Sequence, residues 1–366
     1  MNNNVIDLFA GCGGFSVGFE AAGFKITKAV EFDKQIAQTY AANHSGTKLF
    51  VDDIGNVDNV DYFKKGEAPI IVGGPPCQGF SMAGARIRGN SFIDDPRNYL
   101  FKHYVNVVRI VRPKVFVLEN VKGFLTMKGG ELFNEIVRTF SSPETFGGER
   151  YYLHYRVVKA IEYGIPQKRE RVVVIGRLNQ DFDINKLFDK TRLEISKSMP
   201  HFFDDVTVWD AIGDLDSPQA SGSVKTDPSA MSPYAEYLNK GVNVVENHVA
   251  THHSKLAERR MKQVHGGENW TVLKDNIKSV HSGAYGRLLR DAPSATITTR
   301  FDTPSGGRFT HPIEDRTITP REAARIQSFP DSFTFYGSRT SICKQIGNAV
   351  PPKMAFFLAK LVKHLI

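Results

Sequence analysis

Short runs of apolar, β-branched residues alternate with amphipathic stretches along the chain as far as about Asn179. Val5–Phe9, Ile26–Glu31, Leu49–Val51, Ile70–Gly73, Val115–Glu119 and Arg171–Gly176 read as strands, while Phe15–Ala22, Lys34–Asn43 and Leu100–Val111 carry helical periodicity. This rhythm predicts an α/β fold built on a mostly parallel, doubly wound sheet. Such sheets bind ligands at the carboxyl ends of their strands. Beyond Asn179 the alternation fails and Ser, Pro, Asp and His dominate, so a change of domain is expected there. Order returns after Thr310. Thr319-Pro320-Arg321-Glu322 reads as a helix start, with a capping Thr, Pro in the first turn and Glu at the third position. The amphipathic stretch Lys353–Ile366 is expected to pack as a core helix on the first domain.

Composition narrows the class. A chain of 366 residues with 41% hydrophobic and 23% charged residues can fold as two domains, or as one carrying a large insertion. A net charge of +8 suits a polyanionic partner without requiring one. Three cysteines and no CxxC pair argue against a disulfide framework or a thiolate zinc site, and for a reducing compartment. His252 and His253 lack a third ligand at helical spacing, so no metal is expected. No apolar run approaches bilayer-spanning length, and Met1–Phe9 carries no basic leader; the expected location is cytoplasmic, with no membrane partner.

Candidate chemistry clusters at the expected strand ends. Val5–Phe9 runs into Ala10-Gly11-Cys12-Gly13-Gly14-Phe15-Ser16, a turn that lets backbone approach a ligand closely. The pattern is G-x-G-x-x-S and lacks the third glycine of the dinucleotide fingerprint, which makes it weak by itself. Glu31, roughly 20 residues past the turn, is placed to accept both hydroxyls of a ribose. Asp53 could accept from an adenine amino group. In GGPPCQGFS, residues 73–81, Pro75 and Pro76 pin the backbone while Gly73, Gly74 and Gly79 allow tight bends around Cys77. An isolated loop cysteine is more often a small apolar filler. Glu119 could likewise end its strand in a surface salt bridge, and Gln167–Arg171 could be a solvated charge run. Together, a Cys, a Glu and a pair of Arg at neighbouring strand ends form a nucleophile, an acid and an anion-stabilising set.

The ordered series DLFAGCGGFSVGFE, EFD, DDI, GGPPCQGFS, DPRNYLF, ENV, QKRERVVVIG, TITTR and QIGNAVPP resembles the DNA cytosine-5-methyltransferase family over nearly the whole chain, in its compact single-chain form. From about Asn179 to His281 the family pattern is silent, where such enzymes carry a variable target-recognition region. The resemblance implies a Rossmann-like S-adenosylmethionine-dependent methyltransferase fold. Residues 1–180 and 338–366 would form the catalytic and cofactor-binding domain, and 181–337 the smaller target-recognition domain with a hinge.

By the same resemblance Cys77 adds to carbon 6 of cytosine, Glu119 holds and protonates ring nitrogen 3, Arg171 binds the exocyclic oxygen, and Arg169 supports the thiolate. Phe15, Glu31, Asp53, Ile54, Leu100 and, from the chain end, Asn348 would line the cofactor pocket. The methyl donor would be S-adenosylmethionine, leaving S-adenosylhomocysteine. The expected partner is double-stranded DNA, bound by a monomer with the target base flipped out and the segment from Ser81 to Arg97 closing over it. A cognate restriction endonuclease is left open as a partner. A transfer-RNA cytosine-5-methyltransferase and a catalytically silent nucleic-acid-binding relative are the competing readings. The long interval between QKRER and His281 favours the DNA enzyme, and the intact Cys77, Glu119 and Arg171 argue against a silent one.

Overall fold

The structure is a computed structural model that describes residues 2–76, 99–275, 277 and 281–366. Cys77 and the segment from Ser81 to Arg97, singled out above, lie outside the described residues. The chain divides into two units: residues 1–158, 170–197 and 354–366 form one, and 159–169 with 198–353 the other.

The first unit is built on seven strands. They are β1 (Asn4–Leu8), β2 (Lys25–Val30), β3 (Lys48–Phe50), β4 (Ile70–Gly73), β5 (Val115–Val121), β6 (Tyr151–Lys159) and, after a two-residue strand β7 (Gln167–Lys168) of the other unit, β8 (Glu170–Leu178). Their order is β3-β2-β1-β4-β5-β8-β6. Strands β1 to β5 run parallel, and β8 pairs antiparallel with β5. The connections are α1 (Gly14–Ala21), α2 (Lys34–Asn43), a one-turn α3 (Ile54–Val57), α4 (Tyr99–Val111) and α5 (Glu131–Ser141). Strands buried on both faces explain the unbroken apolar text of β4 and β5: Ile70, Ile71, Val72, Val115, Phe116, Val117 and Leu118 are wholly buried. The chain winds outward from β1 to β3, then returns to place β4 on the other side of β1. This reversal creates the crevice at which doubly wound sheets bind ligands. Gly73 ends β4 there; a side chain on it would lie 2.6 Å from the Leu8 carbonyl oxygen, so the two strands approach more closely than any other residue permits.

Helix α6 (Ile184–Ser198) leads out of this unit, and the stretch Met354–Ile366 belongs to it. Phe188 packs on Phe357, with ring centroids 5.4 Å apart, and Arg177 donates to the Leu365 carbonyl.

The second unit has little regular structure and is organised by buried charge. Its short helices include α7 (Val208–Ile212), α8 (Pro233–Asn239), α9 (Lys255–Lys262), α10 (Pro320–Ile326) and α11 (Arg339–Asn348); α12 (Pro352–Val362) begins in it. Strand β9 (Val224–Lys225) pairs with β10 (Val244–Val245), and β7 pairs with β11 (Ser294–Ala295). Helix α10 opens with the expected capping box between Thr319 and Glu322. Arg325, wholly buried, is held by Asp331 and Asp214, and Arg316 by Glu322. Arg287 donates to the carbonyls of Met261, Val264, His311 and Glu314 and to Asp315, tying two stretches of chain to one guanidinium. A guanidinium suits this task because it carries five donors in a fixed plane.

Candidate active site

The glycine turn leaves β1 through Phe9, whose φ of 57° puts a bulky residue in left-handed backbone. Gly11 and Gly13 follow with φ of 57° and 101°, conformations that glycine adopts freely. At Gly13 a side chain would also collide with the His44 ring. Glu31, just past β2, clamps the turn: its Oε2 accepts from the Gly11 N–H at 2.9 Å and its Oε1 from the Asp33 N–H at 2.8 Å. A carboxylate has about four lone-pair positions, the acceptor chemistry that a pair of hydroxyls requires. Phe32 follows with 71% of its surface exposed, an aromatic face left to solvent at the same strand end.

Asp53 caps α3 by accepting from the Gly55 N–H, and Ile54 behind it is buried. Leu100, on the first turn of α4, is half-buried. Phe15 packs edge-on against Phe19 in α1 with only 4% of its surface exposed. Phe9, half-buried and strained at the mouth of the turn, and Phe32 are the aromatic residues that the sequence reading passed over. An aromatic next to a strand-ending carboxylate was the available signal for Phe32; Phe9 is marked only by its backbone angle.

A second cluster lies at the ends of β4 and β5. Gly74 passes so close to Glu119 that a side chain on it would stand 3.3 Å from Glu119 Oε2. Asn120 donates its Nδ2 to the Pro75 carbonyl at 3.0 Å, while its Oδ1 accepts from the Val121 N–H. The strand end carrying Glu119 thus holds the loop that leads into Cys77. Antiparallel pairing sets Val121 opposite Arg171 and Glu119 opposite Val173. Residues two apart share a face, so Arg171 is a diagonal neighbour of Glu119. Its Nε stands 3.0 Å from Glu119 Oε1, and both groups are mostly buried.

Arg169 falls in the second unit. Its buried guanidinium donates to the carbonyls of Ile297, Gly347 and Ala349. Asn348 is exposed at the end of α11, also in the second unit. Both described cysteines are poor nucleophiles: burial pushes the Cys12 thiol far above its ordinary range and that of Cys343 up to about 12. Among the described residues no group of His, Cys, Asp and Glu could hold a metal, and no helix is long and apolar enough to cross a membrane.

The model of the C-5 cytosine-specific DNA methylase family matches residues 3–364. The type II methyltransferase M.DdeI of Desulfomicrobium norvegicum is 34% identical over 98% of this chain and 88% of its own. M.NgoPII of Neisseria gonorrhoeae is also 34% identical, over 99% of this chain and 96% of its own. Among solved structures, a prophage-encoded E. coli protein described as a DNA modification methyltransferase matches with a TM-score of 0.75 at 29% identity, covering 99% of both chains. The S. pombe Dnmt2 methyltransferase, at 18% identity and a TM-score of 0.63, shares the fold. This chain belongs to the C-5 cytosine-specific DNA methylase family, and its activity is methyl transfer to cytosine in DNA.

Proposed function

We propose that the chain methylates carbon 5 of a flipped-out cytosine within a specific duplex sequence, using Cys77 as a covalent nucleophile and S-adenosylmethionine as donor. The observation that carries this reading is the Glu119–Arg171 pair, set on adjacent strands beside the loop into Cys77. Cytosine carbon 5 is a weak nucleophile until a thiolate adds at carbon 6. Cys77 would form that bond as the 5,6 double bond opens, while Glu119 delivers a proton to nitrogen 3 and Arg171 holds the exocyclic oxygen. With carbon 5 methylated, loss of its proton to a base restores the double bond and releases Cys77 as thiolate, while the nitrogen 3 proton returns to Glu119. Because a stacked base offers none of these atoms, the target nucleotide leaves the duplex first.

The residues at the glycine turn fit the donor. Glu31 would take the ribose hydroxyls, Phe9 and Phe32 would stack on its flat surfaces, and Asp53, Ile54 and Leu100 would border the adenine. When bound there, the donor supplies an electrophilic methyl group on a sulfonium. The type II methyltransferase names of the relatives support a cognate restriction endonuclease as companion in a bacterial cytoplasm; the chain would act as a monomer.

The covalent step is tested with an oligonucleotide carrying 5-fluorocytosine at the target, since fluorine cannot leave as a proton does. Enzyme and donor should accumulate a denaturant-resistant adduct that maps to Cys77 and is absent from Cys77→Ser. An adduct on Cys12 or Cys343, or one formed equally by Cys77→Ser, would overturn the mechanism.

A further inference from the structure

The position at which the dinucleotide fingerprint would have its third glycine is occupied by Ser16, and the serine is built into a buried chain of hydroxyls. Its Oγ donates to Asp7 Oδ2 at 2.7 Å and lies 2.8 Å from Tyr40 Oη. A serine has one hydroxyl proton, so with that proton given to Asp7 the tyrosine must donate to the serine. The chain therefore runs from α2 through α1 to β1, under the turn. Asp7 is 1% exposed, and its other oxygen, Oδ1, is buried with no hydrogen-bond partner. The charges acting on it from the described residues are carboxylates, Glu20 of α1 and Glu31 beyond β2. Asp7 and Glu31 in turn both act on Cys12, at the centre of the turn. The other titratable groups around Asp7 and the turn include Tyr40, the buried Tyr104 of α4, on which Asp7 acts, and His44, whose Nδ1 meets Glu20 at 2.8 Å.

A buried carboxyl with an orphaned oxygen and like-charged neighbours is costly to ionise unless a cation arrives. The donor at this turn is such a cation, and its product is not: methyl transfer turns the sulfonium into an uncharged thioether and changes little else. We infer that the Asp7 carboxyl, held by Ser16 and Tyr40 beneath the glycine turn, makes the site favour the methyl donor over its demethylated product. This rests on the reading that the donor binds at that turn. Burial raises the Asp7 carboxyl to about 7, with Ser16 opposing the rise and Glu20 and Glu31 adding to it, so the preference switches on within the physiological range. Coupling is reciprocal: the bound sulfonium draws the proton off Asp7, and ionised Asp7 holds the sulfonium.

Calorimetric titration of the intact protein with S-adenosylmethionine and with S-adenosylhomocysteine, from pH 6 to 8.5, reads this directly. In the wild type the ratio of donor to product affinity should rise with pH by roughly five-fold or more, the lower end of ordinary coupling between sites. Asp7→Asn keeps an acceptor for Ser16 and cannot ionise; its ratio should stay at the low-pH value, which also removes the ligands' own titration from the comparison. Ser16→Ala withdraws a donor that favours the anion, so its midpoint should move to higher pH. A pH-independent ratio in the wild type, or a dependence that survives in Asp7→Asn, would overturn the inference. Failure of the wild type to bind either compound would instead overturn the donor site.

Discussion

Arg171 Nε stands 3.0 Å from Glu119 Oε1 across two antiparallel strands, and each side chain keeps at most about a seventh of its surface exposed. The contact is an ion pair, and the second carboxylate oxygen lies beside the Gly74 backbone. Glu119→Gln retains the shape and removes the acid. Single-turnover methyl transfer should slow by about 10²–10⁴-fold, the usual range for a lost general acid, while DNA affinity changes little because phosphate contacts dominate it. Unchanged single-turnover rates would remove Glu119 from the chemistry.

Asn120 is a positioning residue for the cysteine loop, acting through the Pro75 carbonyl. Asn120→Ala leaves that buried carbonyl without its donor, a loss of about 1–3 kcal/mol. The rate of adduct formation with 5-fluorocytosine DNA should fall by more than the drop in stability explains, with donor affinity unchanged. Equal adduct rates in variant and wild type would reduce Asn120 to a structural role.

Asp7 links stability to pH. Its folded value, about 7 through burial, lies above the ordinary carboxyl value of 3.8. Stability from the protonated group is therefore fully present below that ordinary value and is lost as pH rises through about 7. Melting of the ligand-free protein should show Asp7→Asn gaining on the wild type between pH 5 and 8. Parallel melting curves for the two proteins across that range would contradict the raised value.

Target specificity is expected to travel with the second unit. A chimera ending at His281 would separate Arg287 from the native Met261 and Val264 segment that its guanidinium ties down, whereas one spanning Ser198–Asp315 keeps the whole set together. The longer exchange should fold and methylate the donor protein's site, and the shorter one should melt at a lower temperature. A longer chimera that still methylates the parental site would place specificity elsewhere.

The sheet was legible because its central strands β1, β4 and β5 are rich in β-branched residues and buried on both faces, and they stand out as apolar runs within a residue or two of their observed ends; β2 and β3 are partly exposed and show as shorter apolar runs at the same precision. β6 did not stand out: at the sheet's edge it is mostly half-buried, and YYLHYRVVK shows neither a continuous apolar run nor clean alternation. The Glu119 and Arg171 pairing could be guessed as a cluster but not as a contact, since it depends on the antiparallel register of β8. QKRER reads as one motif, yet the chain passes from one unit to the other between Arg169 and Glu170, giving the two arginines different surroundings. Strain at Phe9 is a property of a backbone angle and leaves no mark on composition.

The first unit is discontinuous in a way that bears on its synthesis. Its closing stretch, Met354–Ile366, leaves the ribosome only after every residue of the second unit has been made, and it supplies Phe357 to Phe188 and the Leu365 carbonyl to Arg177. A nascent chain carrying the glycine turn, Cys77 and Glu119 therefore still lacks part of the packing around its sheet. Translation errors that end the protein early would release a catalytic sheet with an exposed apolar flank, a substrate for proteases and chaperones. Closure of the first unit's core thus waits on a stretch made after the whole of the second unit.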